Sequence, residues 1–231
     1  SNVGMVKAMA QVKRDRFWYW LRTMGIDETP DTDLPGAVAG ELKTRKQFTD
    51  QAIEPAVAAF GQGFSLTPLK LLQLHAMLAN GGRLVSPHIT RGLRSGDALA
   101  SAPGGSGLQV LDPSVTKTVM AWMESVVDNS RGLGMKVPGY RIGGKTGTAQ
   151  KAERGVYIPG ALITSFVGHL PIDDPRYVVL VVVDEPKGGN AYGSTVAAPV
   201  ARQIIDALLV LERIPPSRPK ELQKAVAKPR V

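Results

Sequence analysis

The sequence predicts an α+β domain in which helices cover an antiparallel sheet. Three strand-like runs follow one another at 140–150, 161–170 and 177–184. Their connections are about five to ten residues, too short for the helical crossovers that parallel strands need. Amphipathic helical runs precede and follow these strands. With 231 residues, of which 43% are hydrophobic, the chain is long enough to bury one large core.

The elements before the sheet are predicted from apolar spacing and capping residues. Residues 2–24 form a first helix, since apolar residues recur at helical spacing and Gly25 provides a left-handed stop. Residues 25–55 carry several prolines and glycines and are expected to be mainly loop. A second helix begins at the Thr-Pro pair 67–68 and ends at the Asn-Gly-Gly run 80–82.

Further along the chain, short strands are expected around Leu84 and Ile89, followed by a Gly/Ser-rich surface loop from 95 to 107. The Asp-Pro pair 112–113 opens another helix, and an apolar stripe from 196 to 211 marks the closing one.

The last residues differ in composition from the rest. Residues 214–231 contain four prolines and scattered Lys and Arg, a composition typical of disorder. We therefore expect a folded part at 1–213 and a disordered, basic, Pro-rich tail at 214–231.

Composition excludes several function classes. The chain has no cysteine, which excludes a disulfide scaffold, a thiolate metal site and a cysteine nucleophile. Lys and Arg outnumber Asp and Glu by 28 to 20, giving +8, but four of the aromatics cluster at 17–20 instead of alternating with the cations, so no nucleic-acid partner is expected. His75, His88 and His169 lack metal-type spacing, and no metal or cofactor is expected.

No stretch approaches the ~20 apolar residues of a membrane span.

Two motif interpretations compete for the residues around Lys145. The run from Gly139 to Thr146 fits the phosphate-loop pattern, and the apolar run 178–184 ends in acidic residues. A phosphate loop must follow a buried strand and open into a helix. Residues 135–138 make a poor buried strand, and the glycines and proline after Thr146 oppose a helix. A nucleotide hydrolase therefore stays only as the alternative.

The second interpretation takes residues 145–148 as a Lys-Thr-Gly-Thr strand. Thr146 and Thr148 alternate onto one face, so both hydroxyls can address one carboxylate, while Lys145 provides positive potential. Gly147 on an edge strand lets a substrate backbone approach closely. The N–H of Thr148 can point at a developing oxyanion. The triplet resembles the Lys-Thr-Gly strand of serine acyltransferases that react with penicillin.

Further segments extend this likeness in order along the chain, up to about residue 213. The segments are Ser-Asn-Val-Gly-Met at 1–5, 61–69, Leu-Ala-Asn-Gly-Gly at 78–82, Gly-Gly-Lys-Thr-Gly-Thr-Ala-Gln at 143–150, Ser-Phe-Val-Gly at 165–168, Asp-Glu-Pro-Lys at 184–187 and Ala-Ala-Pro at 197–199. Together they resemble the transpeptidase domain of class B penicillin-binding proteins. Ser-Asn-Val-Gly is more similar to the division-type enzymes than to the elongation-type ones.

The resemblance implies a peptidoglycan d,d-transpeptidase of septal synthesis, with a helical lobe adjoining the sheet. A serine attacks the D-Ala-D-Ala bond of a stem peptide, the acyl-enzyme is passed to an amine, and β-lactams trap the acyl form. It implies a parent protein anchored at the periplasmic face of the bacterial cytoplasmic membrane, with divisome partners. Catalytic roles fall on Asn2, Lys145 and Thr148, and substrate contacts on Thr146, Gly147, Thr148, Tyr157 and Tyr192.

The chain departs from this family at its start. It begins inside the Ser-x-Asn motif, and the upstream Ser-x-x-Lys nucleophile motif is not among its residues. The chain alone is therefore expected to be inactive and to need the upstream part of the same domain. Ser-x-x-Lys spacing recurs at 114–117 and 217–220, but in the wrong motif order, and spacing alone is not a mechanism.

The resemblance also bears on the apolar run 177–183. Two further strands would come from the upstream segment, which makes this run central in the intact sheet and an unpaired edge in the chain alone. We expect the chain alone to aggregate or to fold without cooperativity. A non-catalytic module that binds division partners remains a further alternative.

Overall fold

The computed structural model describes residues 1–95, 98–101, 107–153 and 156–226. Its helices are α1 (Asn2–Met9), α2 (Arg14–Thr23), α3 (Arg45–Asp50), α4 (Ile53–Ala58), α5 (Pro68–Ala79), α6 (Pro113–Asn129), α7 (Ala198–Leu211) and α8 (Pro219–Val226), with a 3₁₀ turn at Arg131–Leu133 and a π turn at Gly193–Ala197. Its strands are β1 (Arg83–Leu84), β2 (Gly92–Ser95), β3 (Ala98–Ser101), β4 (Leu108–Gln109), β5 (Gly143–Glu153), β6 (Val156–Leu170) and β7 (Tyr177–Asp184).

The chain forms two compact units. The first contains Ser1–Met77 and Arg83–Val110, and the second contains Leu78–Gly82 and the chain from Leu111 onward.

The first unit is mainly helical, with a core of Leu21, Ile26, Phe48 and Ala58. The predicted helix over 2–24 is in fact two helices, and the predicted loop over 25–55 contains α3 and α4. Thr44 and Gln47 explain α3, because they form a capping box that satisfies the free amides at its start. Gly25 has a φ of +69°, as its predicted role as a stop requires.

Two small antiparallel pairs complete the first unit. β1 pairs with β4, and β2 pairs with β3. The predicted strand at Ile89 is wrong: its backbone N–H donates to Asp33 Oδ1 at 2.8 Å instead of to a strand. The predicted loop 95–107 contains β3, and the rest of it lies partly outside the described residues.

The second unit is built on the antiparallel sheet β5-β6-β7. Side chains alternate between its faces. On one face, Val167 packs with Met120 and Met123 of α6; on the other, Phe166 and Leu170 pack with Ile205 of α7 in the largest core cluster. The predicted antiparallel meander covered by helices is therefore confirmed for the described residues.

The C-terminal segment differs from the expected disorder. Residues 219–226 form α8, and Arg218 donates from its backbone to the Gly139 carbonyl at 2.8 Å. Ser217 Oγ donates to Asp173 Oδ1 at 2.8 Å. Regular hydrogen bonds thus begin within the tail that composition assigned to disorder, and 227–231 lie outside the described residues.

The expectation that no stretch could span a membrane also needs correction. Gly193–Leu211 is long and apolar enough to do so by length and composition, with a mean hydropathy of 1.4. In the structure, Ala198, Ala201 and Ile205 on this segment are completely buried in the core of the second unit. Packing against the sheet therefore explains this buried part of the segment, whereas only 28% of the apolar window as a whole is buried.

Candidate active site

The Lys-Thr-Gly-Thr run lies in the first half of β5. This strand pairs with β6 on one side, and among the described residues no strand pairs with its other side. Thr148 faces Thr164, and Gly147 faces Ser165. As predicted, the run is part of an edge strand, which leaves one side of its backbone open to a peptide substrate.

Strand alternation divides the polar groups of this run between the two faces. Thr146 and Thr148 share the face covered by α7, and Lys145 lies on the face covered by α6. Lys145 is exposed, and its Nζ donates to the Thr146 carbonyl at 2.7 Å. The ammonium group is thus held beside its own strand.

The hydroxyl of Thr148 has a defined partner. The backbone N–H of Gly193, the first residue of the π turn before α7, donates to Thr148 Oγ1 at 3.1 Å. The residues are 45 positions apart, and nothing in the local sequence around Thr148 predicts the contact. Gly193 is therefore a site residue that sequence reasoning missed.

Gly147 is confined on both faces of the sheet. A Cβ built on Gly147 would lie 2.4 Å from Ser165 Oγ. On the opposite face, a Cβ built on Gly193 would lie 2.5 Å from both the Gly147 and the Ser165 carbonyl oxygens. At Gly193 the obstructing atoms belong to the backbone, so packing requires glycine there. At Gly147 the obstructing atom is a side-chain oxygen, so the Ser165 hydroxyl would have to rotate away to admit a side chain.

The two candidate cleft tyrosines have different positions. Tyr192 directly precedes Gly193 and is 56% exposed, so it flanks the turn that contacts Thr148. Tyr157 is 50% exposed and pairs with Ala152 near the far end of β5. Ala152 is four positions from Thr148, roughly 13 Å at the rise of an extended strand. The role of Tyr157 as a wall of the substrate cleft stays a prediction.

Asn2 lies in the other unit. It is exposed in the first turn of α1, whose N-cap Ser1 accepts from the Gly4 N–H at 3.4 Å. Its catalytic role therefore also stays a prediction.

The phosphate-loop alternative is wrong. A phosphate loop needs a helix directly after its Gly-Lys-Thr, whereas Lys145 and Thr146 lie inside the eleven-residue strand β5. Their backbone groups belong to a sheet, and the described residues directly after Thr146 continue the strand instead of beginning a helix that could hold a phosphate.

Ser114 has a structural function in helix α6. Its N–H and its Oγ both donate to Asp112 Oδ1, at 2.8 and 2.6 Å. These hydrogen bonds lower the pKa of Asp112, first through the side-chain bond from Ser114. The Ser114 hydroxyl proton is directed to the N-cap carboxylate, as expected for a helix start and not for a nucleophile activated by Lys117.

Comparison with known proteins identifies a family whose match includes the Lys-Thr-Gly-Thr run. Residues 1–206 match the penicillin binding protein transpeptidase domain. The chain belongs to this family. It is 39% identical over 236 residues to a Mesostigma viride protein named peptidoglycan D,D-transpeptidase FtsI homolog. The alignment covers 95% of this chain and 40% of that protein. It is 35% identical to stage V sporulation protein D of Bacillus subtilis, covering 88% of the chain and 32% of that protein.

Solved penicillin-binding proteins have the same fold. The transpeptidase domain of Burkholderia pseudomallei penicillin-binding protein 3 matches with a TM-score of 0.79 and 33% identity, over 94% of this chain and 63% of that one. Penicillin-binding protein 3 of Mycobacterium tuberculosis, solved with ampicillin, matches with a TM-score of 0.81 and 29% identity, over 94% of this chain and 50% of that one. The chain thus spans 32–40% of the length of the two curated relatives. The resemblance stated from the sequence is confirmed.

Proposed function

We propose that this chain supplies the substrate-orienting part of a peptidoglycan d,d-transpeptidase site. The observation that carries the proposal is the Lys145–Thr148 run on the open edge of β5, with two threonines on one face and a lysine on the other. Membership of the penicillin-binding transpeptidase family supports it, as does the name peptidoglycan D,D-transpeptidase of the relative from Mesostigma viride.

In the proposed mechanism, the stem peptide lies along the open edge of β5. The Thr146 and Thr148 hydroxyls donate to its terminal carboxylate, and the Thr148 N–H stabilises the oxyanion that forms at the D-Ala-D-Ala carbonyl. A serine from a segment outside the 231 residues attacks this carbonyl, the C–N bond breaks, and the terminal D-Ala leaves with a proton on its amine.

The second half-reaction transfers the acyl group. An amine of a neighbouring stem peptide attacks the acyl-enzyme, which forms the cross-link, releases the serine and returns its proton. Lys145 supplies the positive group beside the serine, and Asn2 keeps the catalytic role that the family resemblance implies. β-Lactams present a similar carbonyl and carboxylate to the same groups and trap the acyl-enzyme.

The proposal includes a cellular setting. The parent protein would be anchored in the bacterial cytoplasmic membrane with this domain on the periplasmic side, and it would act at the septum with divisome partners. The names of the relatives, a peptidoglycan transpeptidase and a sporulation protein, support a place in cell-wall synthesis.

The test is penicillin labelling of the parent protein, followed by intact mass and peptide mapping, with the 231-residue chain labelled in parallel. We expect one adduct on a serine outside this chain, no adduct on the short chain, and loss of labelling in Lys145→Ala but not in Lys117→Ala. An adduct on Ser114 would show that the assigned nucleophile is wrong. A parent without any adduct would favour the non-catalytic module that binds division partners.

A further inference from the structure

The π turn Gly193–Ala197 lies against the β5 segment that carries the threonines. Its conformation is fixed by bonds within the turn: the Val196 N–H donates to the Tyr192 carbonyl at 2.9 Å, and the Tyr192 N–H donates to Thr195 Oγ1 at 3.1 Å. The direction of the Gly193 N–H toward Thr148 is therefore set by the backbone of the turn and not by a mobile side chain.

The close approach of this turn depends on glycine. Gly193 is buried, and a Cβ on it would lie 2.5 Å from the carbonyl oxygens of Gly147 and Ser165 and 3.1 Å from the Gly147 nitrogen. All three atoms are backbone atoms of paired strands and cannot move aside without disturbing the sheet. A side chain at position 193 would push the turn away and break the 3.1 Å hydrogen bond to Thr148 Oγ1.

The polarity of this hydrogen bond has a chemical consequence. A threonine hydroxyl has one proton and two acceptor lone pairs. A backbone N–H can only donate, so at this contact Thr148 Oγ1 must accept. Its own proton is then directed elsewhere. A carboxylate accepts hydrogen bonds and cannot donate them, so a hydroxyl whose proton is already turned away from Gly193 is prepared for such a ligand.

We propose that Gly193 is a positioning residue, which fixes the Thr148 hydroxyl as a hydrogen-bond donor toward the substrate carboxylate. This inference rests on the proposed transpeptidase function and adds to it a group that does not itself touch the substrate. On this proposal, the π turn helps the site to prefer ligands with a carboxylate over otherwise identical ligands that lack the charge.

The test compares acylation of the parent protein by a penicillin with a free carboxylate and by its methyl ester. The measured quantity is the ratio of the two second-order acylation rates. We expect Gly193→Ala to lower this ratio by about tenfold or more, the usual worth of one hydrogen bond to a charged group. Gly189→Ala is the matched control in the preceding loop, because a Cβ there meets nothing within 4 Å.

Threonine variants separate orientation from a general loss of structure. Thr148→Ser keeps the hydroxyl and should keep the ratio, whereas Thr148→Val should lower it as Gly193→Ala does. Adding Gly193→Ala to Thr148→Val should then lower the ratio no further, because both changes remove the same donor. A Gly193→Ala protein that loses both acylation rates by the same factor, or that keeps the wild-type ratio, would overturn the inference.

A second measurement does not depend on acylation. The Gly193 amide should exchange its hydrogen faster in Thr148→Val than in wild type or Thr148→Ser. Equal exchange in all three would overturn the inference even in an active protein. A wild-type parent that is not acylated by penicillin at all, while the Gly193 amide behaves as expected, would instead refute the proposed function and with it the role toward the carboxylate.

Discussion

Arg218 donates to Glu124 Oε1 at 2.7 Å, a contact that joins the C-terminal segment to α6 across 94 positions of the chain. Glu124 is 7% exposed, and it also accepts two hydrogen bonds from Arg141, at 2.7 and 2.6 Å. The side-chain bond to Glu124 is the main reason why the pKa of Arg141 is raised. Two arginines thus compensate one buried carboxylate, and the one from the tail also pairs with Asp128 at 3.2 Å.

Removing Arg218 should destabilise the second unit. We expect Arg218→Ala to lower the free energy of unfolding by about 1–3 kcal/mol, because Glu124 would keep Arg141 but lose its second charged partner. The measurement is urea unfolding of the parent's transpeptidase domain. Lys220→Ala on exposed α8 is the control. Equal midpoints for the two variants would mean that the tail contributes no stability through this ion pair.

Gly147 and Ser165 should be energetically coupled. Gly147→Ala places a Cβ 2.4 Å from Ser165 Oγ, and this overpacking should cost about 1 kcal/mol, the low end of the usual range, because the hydroxyl can rotate away. Ser165→Gly removes the obstacle at its own cost of roughly 0.5–1 kcal/mol in a strand. A double-mutant cycle should therefore show the pair to be less destabilised than the sum of the single changes. Additivity would contradict the contact, and Gly132→Ala, where a Cβ meets nothing within 4 Å, controls for the alanine itself.

The elements that were predicted correctly have strong local signals. The run 177–184 is one apolar strand with the predicted bounds, and α5 begins at Pro68 with the Thr67 hydroxyl accepting from the Lys70 N–H at 3.1 Å. The six-residue helices α3 and α4 were missed because they are too short to show a helical period. For α3 a usable signal existed in the spacing of Thr44 and Gln47.

The candidate site likewise contains residues that the sequence predicted and one that it did not. Lys145, Thr146 and Thr148 form a contiguous motif, so their strand and their shared face follow from sequence alone. Gly193 depends on packing between distant segments, and its own neighbours indicate only the start of a helix. Likewise the order of the tail depends on ion pairs with α6, which no composition rule detects.

Stability should fall in mild acid because of His75. Burial lowers the pKa of this imidazole from 6.5 to about 4, so between these values the unfolded state binds more protons than the folded state. Stability is then fully present above about pH 6.5 and is lost as the pH falls toward 4, by about 3 kcal/mol in total. Urea unfolding of the parent domain at pH 7 and pH 4.5 measures this difference.

A substitution isolates the contribution of that histidine. His75→Gln should flatten the pH dependence between pH 7 and pH 4.5, whatever it does to stability at pH 7. The exposed His88, changed to Gln, controls for removal of a surface histidine. A pH dependence in His75→Gln as steep as in wild type would assign the acid sensitivity to other groups.

The edge of β7 should make the 231-residue chain aggregate when it is produced alone. β7 pairs with β6 on one side and with no strand among the described residues on the other, and its run of valines is the kind of edge that recruits other chains. Val182 is 36% exposed on this strand.

Val182→Lys should therefore delay the rise of turbidity on warming, because a lysine opposes edge-to-edge pairing. Val210→Lys on α7, where the valine is 76% exposed, removes more exposed apolar surface without changing the edge, and it should still delay the turbidity less. A sharp, reversible thermal transition of the unmodified chain, or equal protection by the two lysines, would show that the β7 edge is not the site of association.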